Sequence, residues 1–161
     1  MAVAEKIWLS IPPGDIEGLP EGPDYDYWNA DGDPPPGIEE VRFFVPPYMN
    51  GQAALPLLPQ MPRLRVVQTL TAGVDLFEGH IPPGVTLCNA RGLHNASTAE
   101  LAVTLILASL RGIPRFVRGQ DAERWYGGFY PALADRTVLI LGYGSIGAAI
   151  GDRLIPFECE I

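Results

Sequence analysis

One segment constrains this chain more than any other: "TVLILGYGSIGAAIGDRLIPF", residues 137–157. An apolar run, Val138 to Leu141 with Thr137 before it, leads straight into glycines at 142, 144 and 147, and a helical pattern follows. A strand that passes through G-x-G-x-x-G into a helix brings backbone amides and the positive end of the helix dipole to one point, where a diphosphate is favoured. Gly142 permits the tight turn, Gly144 lets phosphates approach the backbone, and Gly147 lets the helix pack on the strand. With 18 glycines in 161 residues the pattern alone is weak, and the plain alternative is an ordinary strand-to-helix turn. The strand before it and the helix after it give it weight. In a dinucleotide fold the acid that grips the adenosine ribose follows about 20 residues after the first glycine. Only 19 residues follow Gly142 here.

The two halves of the chain are built differently. Of its 17 prolines, 14 fall before residue 84. In that half "KIWLS", "YDYWN", "VRFFVPP", "LRVVQTL" and "GVTLCNA" are short β-branched or aromatic runs bounded by Pro or Gly, and they read as parallel strands. "YMNGQAALPLLPQM" reads as a short helix interrupted by proline, and Pro34 to Pro36 as a stiff surface loop. From Ser97 the pattern turns helical: Ser97 as N-cap and Glu100 three residues later form a capping box, and Gly112 and Pro114 end the helix. The body of "STAELAVTLILASLRG" is apolar almost all round, which predicts burial on most sides. "PRFVRGQDAERW" is more amphipathic, and an aromatic, glycine-rich loop carries it to the strand at 137. The lobes should divide near residues 91 to 97.

Composition narrows the function classes. A formal charge of −8 gives no electrostatic footprint for nucleic acid. The longest apolar stretch, Leu101 to Leu110, is ten residues, well under the roughly 20 that cross a bilayer. The N-terminus has Glu5 and no long apolar centre, so it does not read as a signal peptide. Cys88 and Cys159 lack metal or redox spacing and read as reduced core residues of a cytoplasmic protein. No residue cluster suggests a metal.

Three blocks in order, "VVQTLTAGVDLF", "GVTLCNARGLHNASTAELAVTLILASLRGI" and "RTVLILGYGSIGAAIGDRLIPF", resemble the NAD(P)-dependent D-isomer-specific 2-hydroxyacid dehydrogenases. Together they are far more specific than the glycine loop. The resemblance covers about residues 64 to 157; the first 60 match only in their strand alternation. It implies an α/β protein with a flavodoxin-like parallel-sheet substrate lobe at 1–93, followed by the first part of a Rossmann coenzyme lobe at 94–161.

The same resemblance assigns roles. Backbone amides at Gly73 and Val74 would take the carboxylate of a small 2-oxo or 2-hydroxy acid, a role that suits a glycine-containing turn with free amides. The plain reading of "TAGVD" is a strand-to-helix turn capped by Asp75, and both stay open. Thr98, Gly142, Tyr143, Gly144, Ser145, Ile146 and Gly147 would meet NAD or NADP. The loop "NARGLHN", with Arg91, would line a cleft between the lobes. His94 reads as a loop histidine, His80 as an exposed turn residue, Arg111 as a helix end, and Arg115 and Arg118 as one face of the next helix.

Hydride transfer to a 2-oxo acid needs a proton donor, usually a His held by a carboxylate, and a cation for the substrate carboxylate. The family supplies these as His, Glu or Asp, and Arg, and none has a matching position here, so no catalytic residue is assigned. The expectation is a chain truncated within its coenzyme lobe, related to an oxidoreductase but without turnover. Similar proteins form homodimers through the coenzyme lobe, and here that surface would be incomplete. The competing class is a binding module for small acids or proteins, made by the N-terminal lobe without coenzyme.

Overall fold

The computed structural model describes residues 4–161. The chain divides into two compact units, one ending at Arg91 and one spanning Gly92–Ile161.

All five expected strands of the first unit form: β1 (Lys6–Leu9), β2 (Asp24–Tyr27), β3 (Val41–Phe44), β4 (Val66–Gln68) and β5 (Thr86–Cys88). Every pairing is parallel, in the order β2-β1-β3-β4-β5, the order of flavodoxin-type doubly wound sheets. Aromatic residues make the core. Trp8 and Phe44 are fully buried and meet edge to face at 6.1 Å, and Trp28 lies 6.4 Å from Phe44. The proline-interrupted helix appears as a 3-10 helix over Gly51–Gln60 with Pro56 and Pro59 inside it. Each proline lacks the donor that an α ladder needs, which favours the tighter winding. This segment still buries Ala54, Leu57 and Leu58 against the sheet.

The edge strand β2 carries Asp24 and Asp26, and a charged edge resists pairing with other chains. Lys6, the only lysine in the sequence, ties both to β1, with its Nζ 2.7 Å from Asp26 Oδ2 and 3.0 Å from Asp24 Oδ2. The hydrogen bond with Asp26, aided by Asp24 and opposed by burial, raises the Lys6 pKa above its ordinary 10.5. A raised amine pKa stabilises the fold below the unfolded value, and the contribution is lost as pH rises through the folded one. Thermal unfolding should therefore lose stability as pH passes 10.5, and Lys6→Met should flatten that part of the profile. An unchanged profile in the variant would show that the pairs contribute nothing.

In the second unit α2 (Asn95–Leu110) begins two residues before the expected cap, and His94 occupies the N-cap position. The capping box is absent. Ser97 lies inside the first turn, and its hydroxyl donates back to the His94 carbonyl at 3.3 Å. Burial on most sides does not hold either: Ala99 and Val103 are buried, whereas Leu101 and Leu105 are 58% and 59% exposed. One face packs on α4 (Ser145–Leu154) through Val103, Ile106, Leu107 and Leu110, which gather with Leu154 and Ile150.

Gly112, at φ 68°, ends α2, and α3 (Ile113–Asp121) starts at once with Pro114 in its first turn, bent 68° from α2. Arg111 is the C-cap of α2, and Arg115 lies 4.8 Å over the Tyr126 ring. The aromatic loop seats Tyr126 against Gly119 and Tyr130 against Gly112 and Phe116, and leaves Trp125 and Phe129 exposed. Both cysteines are free and half-buried; Cys159 packs against the core cluster of the second unit, whereas Cys88 is in neither core cluster, a correction to its reading as a core residue. No single helix among the described residues is long and apolar enough to cross a membrane.

Candidate functional site

In the first unit, a cavity of about 330 Å³ lies beyond the carboxyl ends of β3 and β4, where α/β sheets commonly bind ligands. The turn Thr71 to Val74 contributes Thr71 and Gly73 to its wall. Every carbonyl of that turn is engaged. Ala90 N–H donates to Thr71 O (2.9 Å), Asn89 Nδ2 to Ala72 O (2.8 Å), the Thr71 hydroxyl to Gly73 O (2.7 Å), and Phe77 N–H to Val74 O (2.7 Å). Thr69, nearly fully buried, braces the turn by donating to Thr71 O at 2.9 Å.

The amides of Ala72, Gly73 and Val74, by contrast, donate to no carbonyl among the described residues. Successive free amides facing away from pinned carbonyls make a concave donor surface for an anion. Gly73 is exposed and Val74 half-buried. The capping role of Asp75 is not seen: it opens α1 (Asp75–Glu78) without a side-chain cap bond, and its Oδ2 lies 3.3 Å from where a Gly73 Cβ would sit.

Sequence reasoning overlooked the other wall, Pro46 to Gln52. Met49 there holds φ 62° and is 84% exposed. A bulky side chain at positive φ is a strained arrangement of the kind that clusters at binding loops. The available signal was Pro46-Pro47 directly after a strand and Asn50-Gly51 three residues on.

In the second unit the strand expected at 138–141 does not form a ladder; beside it the chain makes one parallel bridge, Thr137 to Glu160. Val138 N–H donates to Glu160 O at 2.7 Å, and Glu160 N–H to Arg136 O at 2.8 Å. Val138 and Ile140 point into the α2–α4 cluster while Leu139 and Leu141 are exposed, the alternation of a half-covered strand. Gly142 turns the chain at φ 92°, and α4 begins three residues later.

A Cβ on Gly147 would collide with the Gly142 carbonyl oxygen, so this glycine sets the approach of helix to loop. At Gly142 and Gly144 a Cβ would meet nothing within 4 Å. The space beside the loop is open. The amides of Tyr143, Gly144, Ser145, Ile146 and Gly147 donate to no backbone group among the described residues, and the first bond of α4 is Ala148 N–H to Gly144 O at 2.9 Å. Donors left free at a helix start, with room in front of them, fit a diphosphate.

The remaining site residues are placed as follows. Tyr143 is exposed, with its hydroxyl over Gly151 of α4, and Ser145 and Ile146 are half-buried. Thr98 is exposed in the first turn of α2, where its amide donates to His94 O at 3.0 Å, and no hydrogen bond joins it to the glycine loop. His80 is exposed. Among the described residues no three His, Cys, Asp or Glu side chains gather as metal ligands.

Comparison with known proteins bears on the family and the fold. The family model for "D-isomer specific 2-hydroxyacid dehydrogenase, NAD binding domain" matches residues 103–161. A glyoxylate reductase/hydroxypyruvate reductase of Mus musculus is 35% identical across 60% of this chain and 32% of its own length. A glyoxylate reductase of Thermococcus litoralis is 27% identical across 97% of this chain and 52% of its own. The chain thus spans between a third and about half the length of these curated relatives. Among solved structures, a D-isomer specific 2-hydroxyacid dehydrogenase from Xanthobacter autotrophicus Py2, in complex with NADPH and MES, superposes with a TM-score of 0.66 over 98% of this chain and 52% of that one. At 23% identity that likeness speaks for the fold alone.

Proposed function

We propose that this chain, which belongs to the D-isomer specific 2-hydroxyacid dehydrogenase family, binds a nicotinamide dinucleotide, NAD or NADP, on residues 142–147 and a small 2-oxo acid of the glyoxylate or hydroxypyruvate type on the amides of Gly73 and Val74. Residues 1–93 serve as substrate lobe and 94–161 as coenzyme lobe. The observation that carries the reading is the row of free amides from Tyr143 to Gly147 beside open space.

Each residue has a physical task. The amides of residues 144–147 hold diphosphate oxygens, and Gly144 keeps a side chain out of their path. Gly147 seats α4 close to the loop so that these amides converge. The pinned turn at 71–74 offers its amides to a carboxylate without having to reorganise, which limits the entropy lost on binding. Bound coenzyme would supply the hydride. Within these 161 residues no Arg, Glu or Asp, and His stand at positions matching the family's orienting and proton-donating groups, so the 161-residue chain holds both ligands without interconverting them.

Titrating the purified chain with NADH while following tryptophan emission, to which Trp125 contributes, tests the coenzyme half; saturable quenching or energy transfer is expected. Flat emission would remove that half. Absorbance of NADH with glyoxylate present tests the other statement: no oxidation is expected, and steady oxidation would refute it.

A further inference from the structure

We propose that the first unit carries a second anion site, an arginine-lined cleft that binds the free end of an oligophosphate, at the end of the sheet opposite the acid cavity. The cleft, about 540 Å³, lies where the chain enters β3 and β4, and Arg42, Arg63 and Arg65 line it together with Glu40, Pro62 and Leu64. Residues 1–91 hold twelve acidic and five basic residues, and three of those five meet here. Like charges set side by side repel, and an anion among them removes that cost.

Backbone bonds fix both limbs of the cleft. Arg65 N–H donates to Arg42 O at 2.9 Å, Thr86 N–H to Arg65 O at 2.8 Å, and Leu64 N–H to Met61 O at 3.1 Å, and Leu64 is buried. The arginine side chains, by contrast, are not committed. Arg63 and Arg65 are exposed and pair with no acid among the described residues, and the Arg63 amide donates to no backbone carbonyl among them. Arg42 meets Glu5 at 3.6 Å in a partly exposed pair, an arrangement that holds weakly and yields to a stronger anion. Three guanidiniums against the carboxylates of Glu40 and Glu5 leave the cleft positive on an acidic unit. Guanidinium forks match phosphate oxygens two at a time, so a chain of phosphates suits three of them better than a single carboxylate does.

The test follows the backbone amides of the full 161-residue chain by NMR while sodium tripolyphosphate is added at constant ionic strength. Saturable shifts should centre on Arg42, Arg63, Leu64 and Arg65. The double variant Arg63→Gln/Arg65→Gln should bind about tenfold more weakly, the order of effect for losing charge-assisted hydrogen bonds. Arg118→Gln, an exposed change in the second unit, should bind as the parent does. Raising salt should weaken binding in the unaltered chain, because exposed charges are screened, so the proposal stays testable should the double variant fold poorly. ATP distinguishes two sources of the same chemistry: equal or tighter binding assigns the cleft to nucleotides, and weaker binding to an inorganic chain. NADH, whose diphosphate has no free end, should move these amides far less. The proposal is overturned by no saturable shift at residues 42 and 63–65, by shifts spread evenly over arginines elsewhere, by shifts as large with NADH, or by unchanged affinity in the double variant.

Discussion

Gly147→Ala is expected to abolish measurable NADH binding and to lower the stability of the second unit by about 1–3 kcal/mol, the range for forcing a methyl into a well-packed contact. The new methyl would run into the Gly142 carbonyl, and a backbone atom cannot swing aside as a flexible side chain can. The start of α4 must then move off the loop, and the amides that converge in front of it separate. Binding and stability change together. Gly144→Ala provides the contrast, since its backbone at φ −83° suits any residue and a Cβ there meets open space. That variant should melt within about 0.5 kcal/mol of the parent, as surface changes usually do, yet bind NADH much more weakly, because the methyl occupies the approach to the phosphates. Equal binding by parent and Gly144→Ala would place the dinucleotide elsewhere.

Trp8→Ala is expected to unfold the first unit under ordinary conditions. Trp8 is fully inaccessible, stacks edge to face on Phe44, and donates its indole N–H to Asp26 at 3.2 Å. Truncating a buried aromatic residue costs about 3–5 kcal/mol, a large share of the roughly 5–15 kcal/mol that holds a typical domain. The loss would also expose the partner face of β1, the strand that joins β2 to β3. Near-ultraviolet circular dichroism and amide exchange over residues 4–91 should show the collapse. Retained protection there would mean that the core is not organised on Trp8.

Much of this architecture could be seen in the residues themselves. Each of the five strands announces itself because Pro or Gly brackets a short β-branched or aromatic run, as in "VRFFVPP" and "GVTLCNA", and such signals are local. The order β2-β1-β3-β4-β5 is not local, since it is settled by which edges meet across tens of residues.

The start of α2 departs from the expectation for a related reason. Ser97 and Glu100 have capping-box spacing wherever they fall, but the chain becomes helical at Asn95 and puts Ser97 within the first turn. Apolar composition likewise misled about burial: Leu101 and Leu105 are as hydrophobic as Val103, and only the position of α4 decides which is covered.

At the candidate sites the glycine spacing pointed to residues 142–147 directly. The free donors at 72–74 depend on Asn89 and Ala90, which arrive from the end of β5 to tie down two carbonyls. That bracing is invisible in "TAGVD". Nor does sequence show that Asp75 turns toward Gly73.

The proposed diphosphate site is the row of amides between Tyr143 and Gly147. Its most direct measurement is a titration of isotope-labelled chain with NADH, read amide by amide. Saturable shifts confined mainly to residues 142–148, with none of comparable size in the first unit, are the expected result. If those amides stay unmoved at millimolar NADH while the fold remains intact, the account is contradicted.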